Sequence, residues 1–298
     1  MSAPQMRPTV LVGVDGSAMA EKAVRWGAAE AARQGIPLRL VTAIGRAVDD
    51  LPGRHDHYQD ALLEHVRGRL TFAAEEAARQ APGIEIEQEL VVGSPLSVLL
   101  AESRRARLVV IGDRGLSRIE GLMAGSVAVA LATRSSCPVV IVRGDERAPA
   151  DLAALPVVVG IDANPAAEAA IAFAFDAAAT RQVPLVALHT WSDLAFNSAM
   201  AGVVLDWPAI EVEEAERLSE RLAGWSEKYP GVLVERVVTR ESPAASLLTW
   251  TDRAQLVVVG SRGHGEFAGL VLGSVSNALL HRSACSVAVV RDMAEVPA

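Results

Sequence analysis

Leu108-Val109-Val110-Ile111-Gly112-Asp113-Arg114-Gly115 and Leu256-Val257-Val258-Val259-Gly260-Ser261-Arg262-Gly263 are near-copies set 148 residues apart. In each, four consecutive apolar residues rich in β-branched types end at a glycine, the pattern of a strand covered on both faces in a parallel sheet. Nine residues after the second glycine, each copy reads Gly-Ser-Val, at Gly125-Ser126-Val127 and Gly273-Ser274-Val275. Extended to residues 108–143 and 256–291, the two stretches share 19 identities in 36 positions. Upstream, residues 9–15 (TVLVGVD) match 156–162 (PVVVGID) at a shift of 147. A repeat of this extent implies one supersecondary plan used twice. The polar, Ala- and Pro-containing segment 144–155 (GDERAPADLAAL) reads as the linker, which predicts domains at 1–146 and 147–298.

Short β-branched runs alternate with longer Ala-rich helical patterns in both copies. The spacing predicts strands at 9–15, 37–43, 85–92, 107–112 and 138–142, with helices at 18–34, 56–80, 95–105 and 125–134. The second copy predicts strands at 156–162, 184–190, 232–239, 255–260 and 286–291, with helices at 165–181, 209–228, 243–253 and 273–282. Alternating strands and helices give an α/β fold with right-handed crossovers and an open parallel sheet. In such sheets ligands bind beyond the carboxyl ends of the strands, at the point where strand order reverses.

Composition narrows the function classes. The 298 residues are 51% hydrophobic and 21% charged, with a net charge of −8, a balance that argues against a nucleic-acid backbone as partner. The apolar runs are too short for a membrane span. Two cysteines, Cys137 and Cys285, make no disulfide framework and stand at equivalent places before the last strand of each copy, which points to shared packing. A cytoplasmic protein is expected. His55-Asp56-His57 lacks further ligands at metal spacing. Trp191, Trp207 and Trp250 read as core or interdomain packing.

The chemistry is expected at the strand ends. In G-x2-G-x9-G-S, the first two glycines permit a tight turn and close backbone approach. The last Gly and the Ser start a helix, whose free N–H groups and dipole favour an anion. A phosphate cradle explains the pattern; a plain strand–helix turn with an N-capping Ser is the alternative. Asp15 and Asp162 follow the first strand of each copy and can accept from an adenine amino group or a ribose hydroxyl. Their alternative role is capping the next helix, a task that Ser17 and Asn164 can also perform.

These motifs, with Gly13-Val14-Asp15-Gly16-Ser17 and the segment His189-Thr190-Trp191-Ser192-Asp193, resemble the universal stress protein family, ATP-binding class. The tandem arrangement is similar to that of mycobacterial and actinobacterial members. The resemblance implies two Rossmann-like (adenine nucleotide alpha hydrolase-like) domains, each a five-stranded parallel sheet of order 3-2-1-4-5 with helices on both faces. It also implies one ATP per domain, two per chain, homodimerisation, and regulation of stress response or growth arrest through a protein partner; Mg²⁺ is expected with the ATP because it would help neutralise the phosphate charge.

Carried over by residue, the resemblance puts Gly13 and Asp15 beside adenine and ribose, with Ala43 at the end of the second strand. Gly112, Asp113, Arg114, Gly115, Leu116, Ser117 and Arg118, with Gly125, Ser126 and Val127, would wrap ribose and phosphates. In the second copy Gly160, Asp162, Thr190 and Asp193 take the base end. Gly260, Ser261, Arg262, Gly263, His264, Gly265 and Glu266, with Gly273, Ser274, Val275 and Ser276, take the phosphate end. Asp113 stands where the second copy has Ser261, and a carboxylate beside a triphosphate is repulsive unless it faces solvent. Tighter binding in the second domain is therefore expected. No G-x4-G-K-[ST] loop is present, and the chain's lysines, Lys22 and Lys228, are far from the glycine turns. Little or no hydrolysis follows. A slow ATPase or phosphotransferase, and a nucleotide-free scaffold, are the competing classes.

Overall fold

The computed structural model describes residues 7–45, 55–113, 115, 125–143, 149–162, 167–191, 206–261 and 272–291. The chain divides into two compact units, Met1–Gly144 and Asp145–Ala298.

Unit one runs β1 (Thr9–Gly13), α1 (Ala18–Gln34), β2 (Leu38–Ile44), α2 (His55–Gln80), β3 (Ile86–Val92), α3 (Pro95–Glu102), β4 (Ala106–Gly112), α4 (Ser126–Arg134) and β5 (Val139–Val142). Every strand pairing is parallel, in the order β3-β2-β1-β4-β5. Val10, Leu11 and Val12 of central β1 and Val109 and Val110 of β4 are fully buried, as strands sandwiched between helix layers must be. Edge strand β3 carries Glu87, Gln88 and Glu89 in its middle and stays half-exposed. Right-handed crossovers put α1 and α2 on one face of this sheet and α3 and α4 on the other. In agreement, α1 packs on α2 and α3 on α4.

Unit two repeats the plan after one added element, the short helix α5 (Pro149–Ala153). That turn lies inside the segment expected to be an irregular linker; Pro149 at its start and Ala-Leu content suffice to form it. There follow β6 (Val157–Ile161), α6 (Glu168–Arg181), β7 (Leu185–Thr190), α7 (Trp207–Lys228), β8 (Val234–Thr239), α8 (Pro243–Thr251), β9 (Leu256–Gly260), α9 (Ser274–Arg282) and β10 (Ser286–Val290). Pairings are again parallel, in the order β8-β7-β6-β9-β10.

Local signals explain the boundaries. Ser17 caps α1 by accepting from the Ala20 N–H at 3.1 Å, and Gly35 ends the helix at φ 63°. At the equivalent end of α6, Gln182 adopts φ 56° in place of glycine, a conformation that costs a non-glycine residue about 1 kcal/mol or more. Helices α3 and α8 start identically, with Ser94-Pro95 and Ser242-Pro243 supplying cap and first turn. Each domain thus places the ends of its first and fourth strands side by side. No helix among the described residues is long and apolar enough to cross a membrane.

Candidate functional site

The carboxyl ends of β1 and β4 meet in unit one. Gly112 closes β4 against the first turn of α1: a methyl there would lie 2.8 Å from the Met19 carbonyl carbon. Beyond it, Gly115 rests on the Asp15 carboxylate, and a methyl at Gly115 would collide with Asp15 Oδ2. Asp15 is half-buried, and its Oδ1 accepts the Ser17 N–H at 2.9 Å. Ser17, not Asp15, is the helix cap, so the aspartate is not consumed by capping.

The start of α4 completes this edge. Gly125 is its N-cap, with no side chain contributing a capping bond, and the Gly125 N–H donates to the Asp113 carbonyl at 3.0 Å. Ser126, read above as a candidate cap, is instead the first helical residue and is exposed. Unit two repeats the construction: Gly273 caps α9 without a side chain, its N–H donates to the Ser261 carbonyl at 2.9 Å, and Ser274 is exposed. A helix start with no capping side chain offers backbone N–H groups and the positive end of the dipole to an anion. Val127 and Val275 are half-buried beneath these turns.

Other expected residues have structural duties. Leucines approach Gly13 and Gly160: methyls at these positions would lie 3.1 Å from Leu99 Cδ1 and 2.8 Å from Leu247 Cδ1. Their missing side chains admit α3 and α8 against the sheet. Ser276 is buried and its hydroxyl donates to the Gly260 carbonyl at 2.6 Å, so it fastens α9 to β9 instead of facing a ligand. Ala43 and Thr190 are half-buried in β2 and β7, but the Val41 carbonyl already accepts from Val14 N–H at 2.9 Å. Arg114, Leu116, Ser117, Arg118, Asp193, Arg262, Gly263, His264, Gly265 and Glu266 lie outside the described residues.

Asp113 corrects an expectation. Its side chain is 2% exposed and pairs with the Arg143 guanidinium at 3.5 Å. It neither faces solvent nor stands as an uncompensated charge, so the ground for weaker binding in unit one is removed. Two further readings shift. His55 begins α2 instead of preceding it. Of the three tryptophans, Trp191 is buried, whereas Trp207 and Trp250 are half-exposed under Arg240 and Arg253. Both cysteines are buried and free, each with a serine hydroxyl nearby, at 3.7 Å for Cys137 and 3.8 Å for Cys285. Burial pushes the Cys137 thiol up to about 11.

Two arginines were not singled out from sequence. Arg69 of α2 donates to the Asp15 carbonyl at 3.2 Å, and Arg221 of α7 donates to the Asp162 carbonyl. Each guanidinium therefore holds the loop that carries the aspartate. A second pair of straps sits beside them. Thr42 Oγ1 donates to the Val14 carbonyl at 2.8 Å, and His189 Nδ1 to the equivalent Ile161 carbonyl at 2.9 Å. A carbonyl only accepts, so Nδ1 of His189 carries a hydrogen. His189 Nε2 lies 3.2 Å from Glu214.

The sequence model of the universal stress protein family matches residues 6–143 and again 155–291. The universal stress protein Rv2005c of Mycobacterium tuberculosis is 39% identical over 297 residues, covering 98% of this chain and all of that protein. A second protein of that organism, the universal stress protein Rv2623, is 38% identical over 288 residues, covering 95% of this chain and 96% of its own. Among solved structures, a universal stress protein from Archaeoglobus fulgidus superposes with a TM-score of 0.70 at 22% identity, covering 95% and 98% of the two chains, a likeness of fold. With the family pattern present in both halves and full-length relatives at this identity, the chain belongs to the universal stress protein family.

Proposed function

We propose that this universal stress protein binds one ATP in each unit, hydrolyses it little or not at all, and serves in the cytoplasm as a nucleotide-dependent regulator of stress response and growth arrest. The observation that supports this reading is the meeting of Gly115 with the Asp15 carboxylate beside a helix start capped by Gly125 alone. A carboxylate can take the hydroxyls of a ribose or the amino group of adenine, while bare helix N–H groups and the Ser126 hydroxyl take phosphate oxygens. Asp162, Gly273 and Ser274 offer the same set in unit two. Arg69 and Arg221 position the aspartate loops.

Arg114 and Arg262 fall within the glycine loops by sequence and would add positive charge to the phosphates. Among the described residues no group of three His, Cys, Asp or Glu is placed to hold a metal, so Mg²⁺ would arrive on the phosphates themselves. The regulatory output would pass through a homodimer or a protein partner whose surface contact depends on occupancy. Calorimetric titration of nucleotide-stripped protein with Mg²⁺–ATP tests the binding. Two sites per chain are expected, and a flat isotherm would remove the proposal.

A further inference from the structure

The helix pair on the α1–α2 face differs between the two units. In unit two, Trp225 Nε1 donates to Glu168 Oε2 at 3.0 Å, and its ring stacks on Phe175 with centroids 6.0 Å apart. Arg221, one turn earlier, pairs with the other oxygen of Glu168 at 3.1 Å. The shared role of Arg69 and Arg221 fixes the register between α2 and α7. Val66 and Leu70 then fall on Leu218 and Leu222, all four buried. By the same register Ala73 stands in the place of Trp225, while the α1–α6 repeat puts Glu21 in the place of Glu168 and Ala28 in that of Phe175.

Unit one has the carboxylate and lacks the ring. A cavity of about 310 Å³ opens there, floored by Val14, Ala20, Val24 and Ala73. Glu21 and the exposed ring of Phe72 stand at its walls. The volume lies at the lower end of the roughly 300–1,000 Å³ typical of small-molecule sites. Among the described residues the Glu21 carboxylate has no side-chain partner, whereas Glu168 has two. An ionised carboxylate only accepts, so the Glu21 wall of this slot is complementary to a flat apolar ring that carries an N–H donor, while His65 and Arg69 line another part of the cavity.

We propose that unit one binds an indole-sized planar heteroaromatic molecule between α1 and α2, its ring N–H donating to Glu21 as Trp225 donates to Glu168. The slot lies on the sheet face opposite α4, away from the phosphate end at Gly125 and Ser126, and borders the Asp15 loop through Val14, Gly16 and Arg69.

The test is ¹⁹F NMR of 5-fluoroindole titrated with the full chain, with indole and 1-methylindole as competitors. Saturable binding to one site per chain is expected, retained in the presence of excess ATP and abolished by Ala73→Trp. Indole should compete roughly fivefold or more better than 1-methylindole, about the worth of one hydrogen bond. Glu21→Ala should erase that preference, and it keeps the proposal testable if Ala73→Trp fails to fold. No saturable binding, displacement by ATP, binding that survives Ala73→Trp in a folded chain, or equal competition by the two indoles would each overturn it.

Discussion

Replacing Gly115 by alanine probes the proposed nucleotide site at its tightest point. The added methyl would collide with Asp15 Oδ2. The carboxylate cannot swing away freely, because its Oδ1 is held by the Ser17 N–H at 2.9 Å and its backbone carbonyl by Arg69 at 3.2 Å. Carbon contacts settle at about 3.5–4.0 Å, so loop and aspartate must separate by roughly an ångström. That displacement removes the aspartate from a ligand lying on the loop. A hydrogen bond to a charged group contributes about 1.5–3 kcal/mol, so Kd for ATP in unit one should rise roughly ten- to hundredfold. Gly115 is exposed, and global stability should stay within about 0.5 kcal/mol of the parent. Calorimetry on stripped protein should then show one tight and one weakened site per chain. An unchanged two-site isotherm would refute the reasoning.

Gly112→Ala should act on stability as well, because its methyl would meet the Met19 backbone at 2.8 Å, which cannot rotate aside; a loss of about 1–3 kcal/mol in urea unfolding is expected. Asp113→Ala leaves the Arg143 guanidinium, 11% exposed, without its carboxylate and should cost about 3–5 kcal/mol, whereas Ser261→Ala at the equivalent place should cost about 1 kcal/mol or less. The Cys137 thiol, raised from its ordinary 9.0 to about 11 by burial, is favoured in its protonated form by folding. Its contribution is complete below pH 9 and is lost as the pH rises toward 11, so Cys137→Ala should flatten the alkaline fall in stability measured by urea melts between those values.

Much of this fold is legible in residue types alone. Continuous apolar runs such as Leu108–Ile111 and Leu256–Val259 mark strands buried on both faces, and the Ser-Pro pairs at 94–95 and 242–243 mark helix starts. The glycine spacing also located the edge where Gly115 meets Asp15. What sequence did not disclose depends on contacts between distant residues. Arg69 and Arg221 are unremarkable among the many arginines of helical surfaces; their link to Asp15 and Asp162 spans 54 and 59 residues. Ser276 looked like a phosphate ligand because it follows Gly273-Ser274, yet its position one turn into α9 points its hydroxyl back at Gly260. The pairing of Asp113 with Arg143 likewise depends on β4 and β5 lying side by side. That Ala73 stands where unit two has Trp225 becomes visible only once the register of α2 and α7 is fixed in space.

The most direct test of the account is the nucleotide content of freshly purified protein, released by denaturation and quantified by chromatography and mass spectrometry. Close to two ATP per chain is the predicted result, and ADP in its place would show that the bound nucleotide is turned over. Protein that carries no nucleotide and also fails to bind added ATP would contradict the account, leaving the glycine motifs as turns alone.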